Sequence, residues 1–347
     1  ADAYHAPAMA GLASLALARN RPAEAEQFAQ QAVAADAKSV AALVALGLAR
    51  MRQPGKLARA QEVFESAATG EPAGLRYQAQ SWLALVHSAQ EDHELALREA
   101  LAATAAAPQS ALARGNAALV SFFAGKPREA ERESRAAARL SPDSVAAQCA
   151  LAQSLMAAGD VDAAVAAAAK AAALDPSLPQ ARYLLGLADV QRRDYRHASR
   201  ELQECLRLAP DFLPAASALA RVYAAMGRKE EAIAAVSNLL PTHRNRDQVL
   251  GALGSVYYQQ GRYPEAETQY REALALKPNS GLYHAELCRL LLDANRLNAS
   301  LQAGQQAIRL APGVGQYHAV LGLAYSFSRR RPIADRGLRQ RAGVAHR

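Results

Sequence analysis

Proline recurs in this sequence at a fixed interval. Pro108, Pro142, Pro176 and Pro210 stand 34 residues apart, Pro278 follows after two such intervals, and Pro312 after one more. A chain of 347 residues is too long for one ordinary compact core. A period of this length points instead to supersecondary units stacked end to end. The residues around the prolines agree: LSPDS at 140–144, LDPSL at 174–178, LAPDF at 208–212 and LKPNS at 276–280. Each reads as a helix end, a proline that cannot continue the helix, and an Asp, Ser or Asn able to cap the next one. Alanine inflates the 51% of hydrophobic residues and aromatics supply only 5%, a balance that suits close helix packing and not β-sheet.

Starting each unit 31 residues before its proline gives units at 6–39, 40–76, 77–110, 111–144, 145–178, 179–212, 213–246, 247–280, 281–314 and 315–347. The second is longer, with one extra residue near Gly55 and two near Leu75–Arg76. Within this frame, position 7 is leucine in nine units of ten, from Leu12 to Leu321, with Ala117 the exception. Position 8 is always small, as in Ala13, Gly47, Gly186, Gly254 and Cys288. Position 20 is alanine in every unit but one, where it is Ser300.

These columns resemble the tetratricopeptide repeat family, whose pattern places Leu at 7, a small residue at 8, Ala at 20, an apolar residue at 24, Ala at 27 and Pro at 32. The resemblance covers the chain from Ala6 on. It implies an all-α fold, an α-solenoid or right-handed superhelix of about ten helix-turn-helix units forming one array over 1–347. Small residues at 8 and 20 let the two helices of a hairpin cross closely, and Leu at 7 fills the space between hairpins. Position 15 is Asn20, Gly125, Gly159, Gly227, Gly261 or Asn295 in six units, residues that tolerate the left-handed backbone ending a helix.

The same resemblance implies that positions 2, 5, 9, 12 and 13 of each first helix line a concave groove. Those columns hold Val44, Leu48, Met51, Leu85, Leu119, Phe122, Phe123, Met156, Tyr183, Leu187, Val190 and Tyr258, with Arg221 and Arg289 as the charged residues at position 9. The expected groove is apolar and amide-lined. Chaperone adaptors of the family hold an acidic C-terminus with Lys, Asn and Arg on successive units. Here Asn116 occupies position 6 without those basic neighbours, so a carboxylate clamp is not expected.

No catalytic or metal motif accompanies the repeat. His284 and His318 share position 4 and His87 occupies position 11, so packing accounts for them. Cys288 at position 8 and Cys205 at position 27 stand where a small residue is wanted, and Cys149 falls at position 5. Three cysteines without ligand spacing indicate neither a disulfide framework nor zinc, and fit a reducing compartment. No run of 18 apolar residues exists, so no transmembrane helix is expected, and the start at Ala1 without methionine leaves room for a processed or longer protein. From Gly315 on, seven arginines face one acid, Asp335, so most of the +8 net charge lies at one end. That segment reads as a basic, partly degenerate cap and not as the stripe of a nucleic-acid binder.

The expected function is a non-catalytic protein-interaction scaffold, a monomer or loose dimer without cofactor, holding a partner peptide in an apolar groove. The alternatives from another class are the repeat region of a larger enzyme, or of a bacterial envelope secretion or exopolysaccharide assembly. The composition looks bacterial, and the compartment stays open.

Overall fold

The computed structural model describes residues 5–19 and 21–328. Among them every regular element is a helix, and contacts divide the chain into two compact units. The first unit, Ala1–Arg193, holds α1 (His5–Ala18), α2 (Pro22–Ala35), α3 (Val40–Met51), α4 (Leu57–Ala67), α5 (Arg76–Ala89), α6 (His93–Ala106), α7 (Ala111–Phe123), α8 (Pro127–Leu140), α9 (Val145–Ala158), α10 (Val161–Leu174) and α11 (Pro179–Gln191). The second, Asp194–Arg347, holds α12 (Tyr195–Leu208), α13 (Leu213–Ala225), α14 (Lys229–Ser237), α15 (Arg246–Gln259), α16 (Tyr263–Leu276), α17 (Gly281–Asp293) and α18 (Leu297–Leu310), then a helix over 315–328. The arginine-rich stretch 329–347 and Asn20 lie outside the described residues.

One turn closes hairpin after hairpin. The N–H of position 16 reaches back to the carbonyl of position 11: Lys126 to Ser121 at 2.8 Å, Asp160 to Leu155 at 3.0 Å, Arg228 to Tyr223 at 2.8 Å, Arg296 to Leu291 at 2.8 Å. That bond needs a left-handed residue between. Gly125, Gly159, Gly227, Gly261 and Asn295 supply it with φ of 70°, 84°, 76°, 74° and 58°. The column continues beyond the glycines and asparagines read from the sequence, since Glu91 and Arg193 take φ of 65° and 64° at the same place. Hairpin packing there imposes a conformation that the side chain resists.

The linkers cap as their sequences suggest in some units and not in others. The Ser144 and Ser280 hydroxyls accept N–H bonds from Ala147 at 3.3 Å and Tyr283 at 3.5 Å. In LDPSL and LAPDF the N-cap residues are Leu178 and Phe212, without a side-chain bond, and Pro179 or Pro214 opens the helix instead. Asp175 there folds its own turn, accepting the Ser177 N–H at 3.0 Å. The extra residues of the second unit are absorbed in a 3-10 turn, Ala73–Leu75, beside a short pairing in which Glu71 N–H donates to Lys38 O at 2.6 Å.

Small columns set the helix spacing. Ala25, Ala60, Ala96, Ala130, Ala164, Ala198, Ala232, Ala266 and Ser300 at position 20 are all 0% exposed. Position 8 adapts to the residue at position 24. A Cβ added to Gly47 would lie 2.4 Å from the Phe64 ring, and one added to Gly254 would lie 2.8 Å from the Tyr270 ring. Where position 8 enlarges to Cys288, position 24 shrinks to Gly304, whose added Cβ would meet the Cys288 Sγ at 2.8 Å. The summed volume stays within what close packing allows. Cys205, Cys288 and His87 are buried, in keeping with packing roles.

Candidate functional site

Residues at positions 5, 9 and 12 of one helix share a stripe, because 3.6 residues complete a turn. In the first unit, successive first helices α1, α3, α5, α7, α9 and α11 touch one another, so their stripes lie side by side. Met51 and Leu85 are half-buried and lean on core clusters behind them, Met51 against that of Leu43 and Phe64, Leu85 against that of Ala84 and Val120. Met156 does the same against Leu155 and Leu185. Each thus shares its surface between neighbouring helices and solvent. Val44, read as a groove residue, is instead buried at 8% exposure in the core of α3. Its short side chain cannot clear the adjoining helix.

The stripe is most open on α7. Leu119 lines a shallow cleft of about 270 Å³ with Leu112 and Gly115, walled by the start of α9 at Ala146, Ala147 and Ala150. Phe122 and Phe123 meet edge to face at 5.4 Å, and Phe123 is 57% exposed. On α11, Tyr183 and Leu187 are half-buried. Asn116 is buried and donates to the Ser81 carbonyl at 3.3 Å, so its amide bridges α7 to α5 and is not offered to a ligand. Cys149 has its thiol pushed up to about 11 by burial, which keeps it protonated and unreactive at neutral pH.

The second unit presents different chemistry on the equivalent columns. Arg221 stands exposed on α13. The Arg289 guanidinium of α17 lies 4.8 Å from the centroid of the Tyr258 ring of α15 and pairs with Glu286. The Tyr258 hydroxyl donates to Asp293. Burial, then that bond to a carboxylate, pushes the Tyr258 phenol up to about 12. A cleft of about 520 Å³ opens between α15 and α17, lined by Gln248, Ser255, Tyr270, Tyr283, Glu286 and Tyr317 among others. Tyr283 is pinned in its wall, with its hydroxyl donating to Asp247 at 3.0 Å and its ring where a Cβ on Gly251 would stand, 2.5 Å away.

The predicted site residues therefore fall into two sets that differ in character: Met51, Leu85, Leu119, Phe122, Met156, Tyr183 and Leu187 in the apolar stripe of the first unit, Arg221, Tyr258 and Arg289 among polar neighbours in the second. Sequence reasoning missed the pairing of Tyr258 with Arg289 and Asp293, because these residues are 31 and 35 positions apart and no local signal joins them. It also missed a recurring polar clamp at position 4. His284 and His318 are not packing residues: each is partly or fully exposed, and its Nε2 meets the carbonyl of the preceding repeat proline, Pro278 at 3.3 Å and Pro312 at 2.8 Å. A carbonyl only accepts, so Nε2 carries the proton. Arg114 and Gln148 make the same contact to Pro108 at 3.0 Å and Pro142 at 2.8 Å. A donor at position 4 was the readable signal.

Among the described residues no three His, Cys, Asp or Glu side chains converge as metal ligands, and no helix is long and apolar enough to cross a membrane. The arrangement offers apolar side chains, amides and a few oriented charges.

Sequence profiles described as tetratricopeptide repeat match this chain at residues 215–279 and, in a second profile, at 112–179, 183–246 and 252–315. No curated protein matches it. Among solved structures it is similar to a tetratricopeptide repeat protein from Parabacteroides merdae, at 17% identity over 68% of this chain and 92% of that one, with a TM-score of 0.52. It is also similar to a human IFIT1 dimer with m7Gppp-AAAA, at 17% identity over 91% of this chain and 80% of that one, with a TM-score of 0.61. At such identity the likeness concerns the fold.

Proposed function

The chain belongs to the tetratricopeptide repeat family, and we propose that it is a scaffold holding a segment of another protein against its first-helix stripe. Repeats of this family mediate protein–protein interaction and typically serve without catalysis. The observation that supports the finer reading is the contrast along the first helices of the first unit. Their positions 7, 8 and 11 are mostly buried, while Leu85, Leu119, Phe122, Met156 and Leu187 keep part of an apolar surface open. Apolar side chains left partly open on neighbouring helices support an interaction site there.

The magnitudes are adequate. One buried aromatic contributes at most ~4 kcal/mol, from ~150 Å² at ~25 cal/mol/Å². A few such anchors reach micromolar affinity once association costs are met. The occupant this stripe fits is an extended or helical segment with spaced apolar side chains. In the second unit, Arg221, Tyr258 and Arg289 offer polar chemistry of their own on the equivalent columns.

The test is affinity capture from native lysate with mass spectrometry, comparing wild type with Phe122→Ala combined with Leu187→Ala. Loss of the captured partner with little change in melting temperature supports the reading. Capture that survives while only stability falls means the stripe is structural.

A further inference from the structure

The second unit departs from the repeat at one place, and the departure leaves a notch. In the frame set by the other linkers, residue 244 should be proline, but Arg244 stands there and Pro241 comes three residues early. Proline clashes with the carbonyl four residues before it and disfavours helix in the residue ahead. Consistent with this, α14 stops at Ser237 after 9 residues, whereas α16 and α18 run for 14. Tight turns replace the lost helical turns, with Leu239 N–H donating to Val236 O at 3.1 Å and His243 N–H to Leu239 O at 2.8 Å.

The space vacated is a cleft of about 420 Å³ among α12, α13 and α14. Its floor is apolar: Leu206, Leu219, Tyr223 and Leu239. Its rim carries Asn238 and Thr242, together with Glu231, which Arg228 already engages. A cleft of this size takes one or two large side chains. It opens between second helices, away from the stripe of positions 9 and 12.

The chain that follows the notch carries two arginines, Arg244 and Arg246. Arg244 and Arg246 are exposed and form no ion pair with any described residue, and Arg244 lies two residues, at most ~7 Å of chain, from Thr242 on the rim. Elsewhere on this unit Arg207, Arg228, Arg262 and Arg271 each pair with a glutamate, while Arg200 and Arg221 are exposed without an ion pair to any described residue. An apolar socket followed along the chain by two exposed arginines without ion pairs fits a segment with a large apolar side chain flanked by carboxylates.

We propose that this notch is a second docking site, separate from the first-helix stripe, for an acidic segment of a partner protein that inserts one Leu or Phe. The guanidiniums hold the flanking carboxylates, and the socket supplies the apolar contact.

The experiment uses the full chain and a fluorescein-labelled peptide, Asp-Glu-Leu-Phe-Glu-Asp with blocked ends, read by fluorescence anisotropy. Saturable binding with a dissociation constant of about 0.1–1 mM is expected, weakening as salt rises. Ala234→Trp, from an exposed position on the rim, fills the socket and should weaken binding about tenfold or more. Arg244→Glu with Arg246→Glu should do the same, and this pair sits on exposed surface, so the test stands if the tryptophan variant fails to fold. The proposal is overturned if the peptide does not saturate up to about 5 mM, if a lysine-flanked Leu-Phe peptide binds as well, or if the variants bind normally. Binding lost in Phe122→Ala and kept in both notch variants would also overturn it, and would assign the acidic segment to the first-helix stripe.

Discussion

The ring of Tyr270 fills the space that a side chain on Gly254 would need: a Cβ there would stand 2.8 Å from Tyr270 Cε1. Tyr270 is 1% exposed, and its hydroxyl lies 3.0 Å from the Ser255 hydroxyl, so moving the ring would give up its burial and that bond. Two helices of one hairpin meet at this contact, and its volume is shared between positions 8 and 24.

Gly254→Ala should therefore destabilise the chain by about 1–3 kcal/mol through overpacking. In another hairpin the same two positions hold Ala220 and Val236, both buried. Adding Tyr270→Val to Gly254→Ala should recover part of the loss, giving a favourable coupling in a double-mutant cycle measured by urea unfolding. A double variant as unstable as the sum of the singles would remove the volume-sharing account.

Glu91→Gly should stabilise. Glu91 holds φ of 65° at the turn between α5 and α6, where glycine in four other hairpins carries no Cβ penalty. The gain should be about 1 kcal/mol, visible as a raised melting temperature in circular dichroism. No change would mean the turn relaxes around glutamate without cost.

Glu26 ties α2 to the next hairpin. Its carboxylate accepts from Lys56 Nζ at 2.6 Å, Gln53 Nε2 at 2.8 Å and Arg50 Nε at 3.1 Å, and it is 12% exposed. Burial alone would raise its pKa, but the bonds from Lys56, Gln53 and Arg50 outweigh that and hold it below the usual carboxylate range. A depressed folded pKa contributes stability that is present above the unfolded value near 4.3 and lost as pH falls below it. Glu26→Gln should cost about 1–3 kcal/mol at pH 7 and reduce the dependence of stability on pH below about 5. An unchanged acid slope in the variant would show that other carboxylates dominate.

Tyr258 and Tyr270 should resist alkaline titration. Burial pushes both phenols up to about 12; the bond to Asp293 adds to the shift at Tyr258, while the Ser255 bond opposes it at Tyr270. A raised folded pKa gives stability that is complete below the unfolded value near 10 and is lost as pH climbs from there towards 12. Absorbance at phenolate wavelengths should show these two phenols ionising late, together with that of Tyr283, which burial and its bond to Asp247 also push up, with unfolding in the same window. Tyr258→Phe should remove one of the late phenols. Ionisation of every tyrosine near pH 10 in the folded chain would contradict the buried placement.

The repeat itself was legible because it is one-dimensional. Proline spacing ends helices, glycine admits the turn, and small columns at positions 8 and 20 permit close crossing, all within a few tens of residues of chain. Even the exchange of size between Gly254 and Tyr270 is written at a separation of 16 residues, or 17 between Gly47 and Phe64, where that unit carries an extra residue. That positions 9 and 12 face a groove was implied by the resemblance to the family, and helix geometry only places them on one stripe. What only the tertiary structure decided lies between hairpins. The burial of Val44, the amide of Asn116 spent on Ser81, and the meeting of Tyr258 with Arg289 and Asp293 join residues from neighbouring units. Those contacts depend on how far two packed helices approach and which rotamers the gap admits, and that is set by the volumes of all the side chains around them. The early end of α14 stands between the two cases: Pro241 was in plain view, but the notch it opens exists only because α12 and α13 pack around the missing turns.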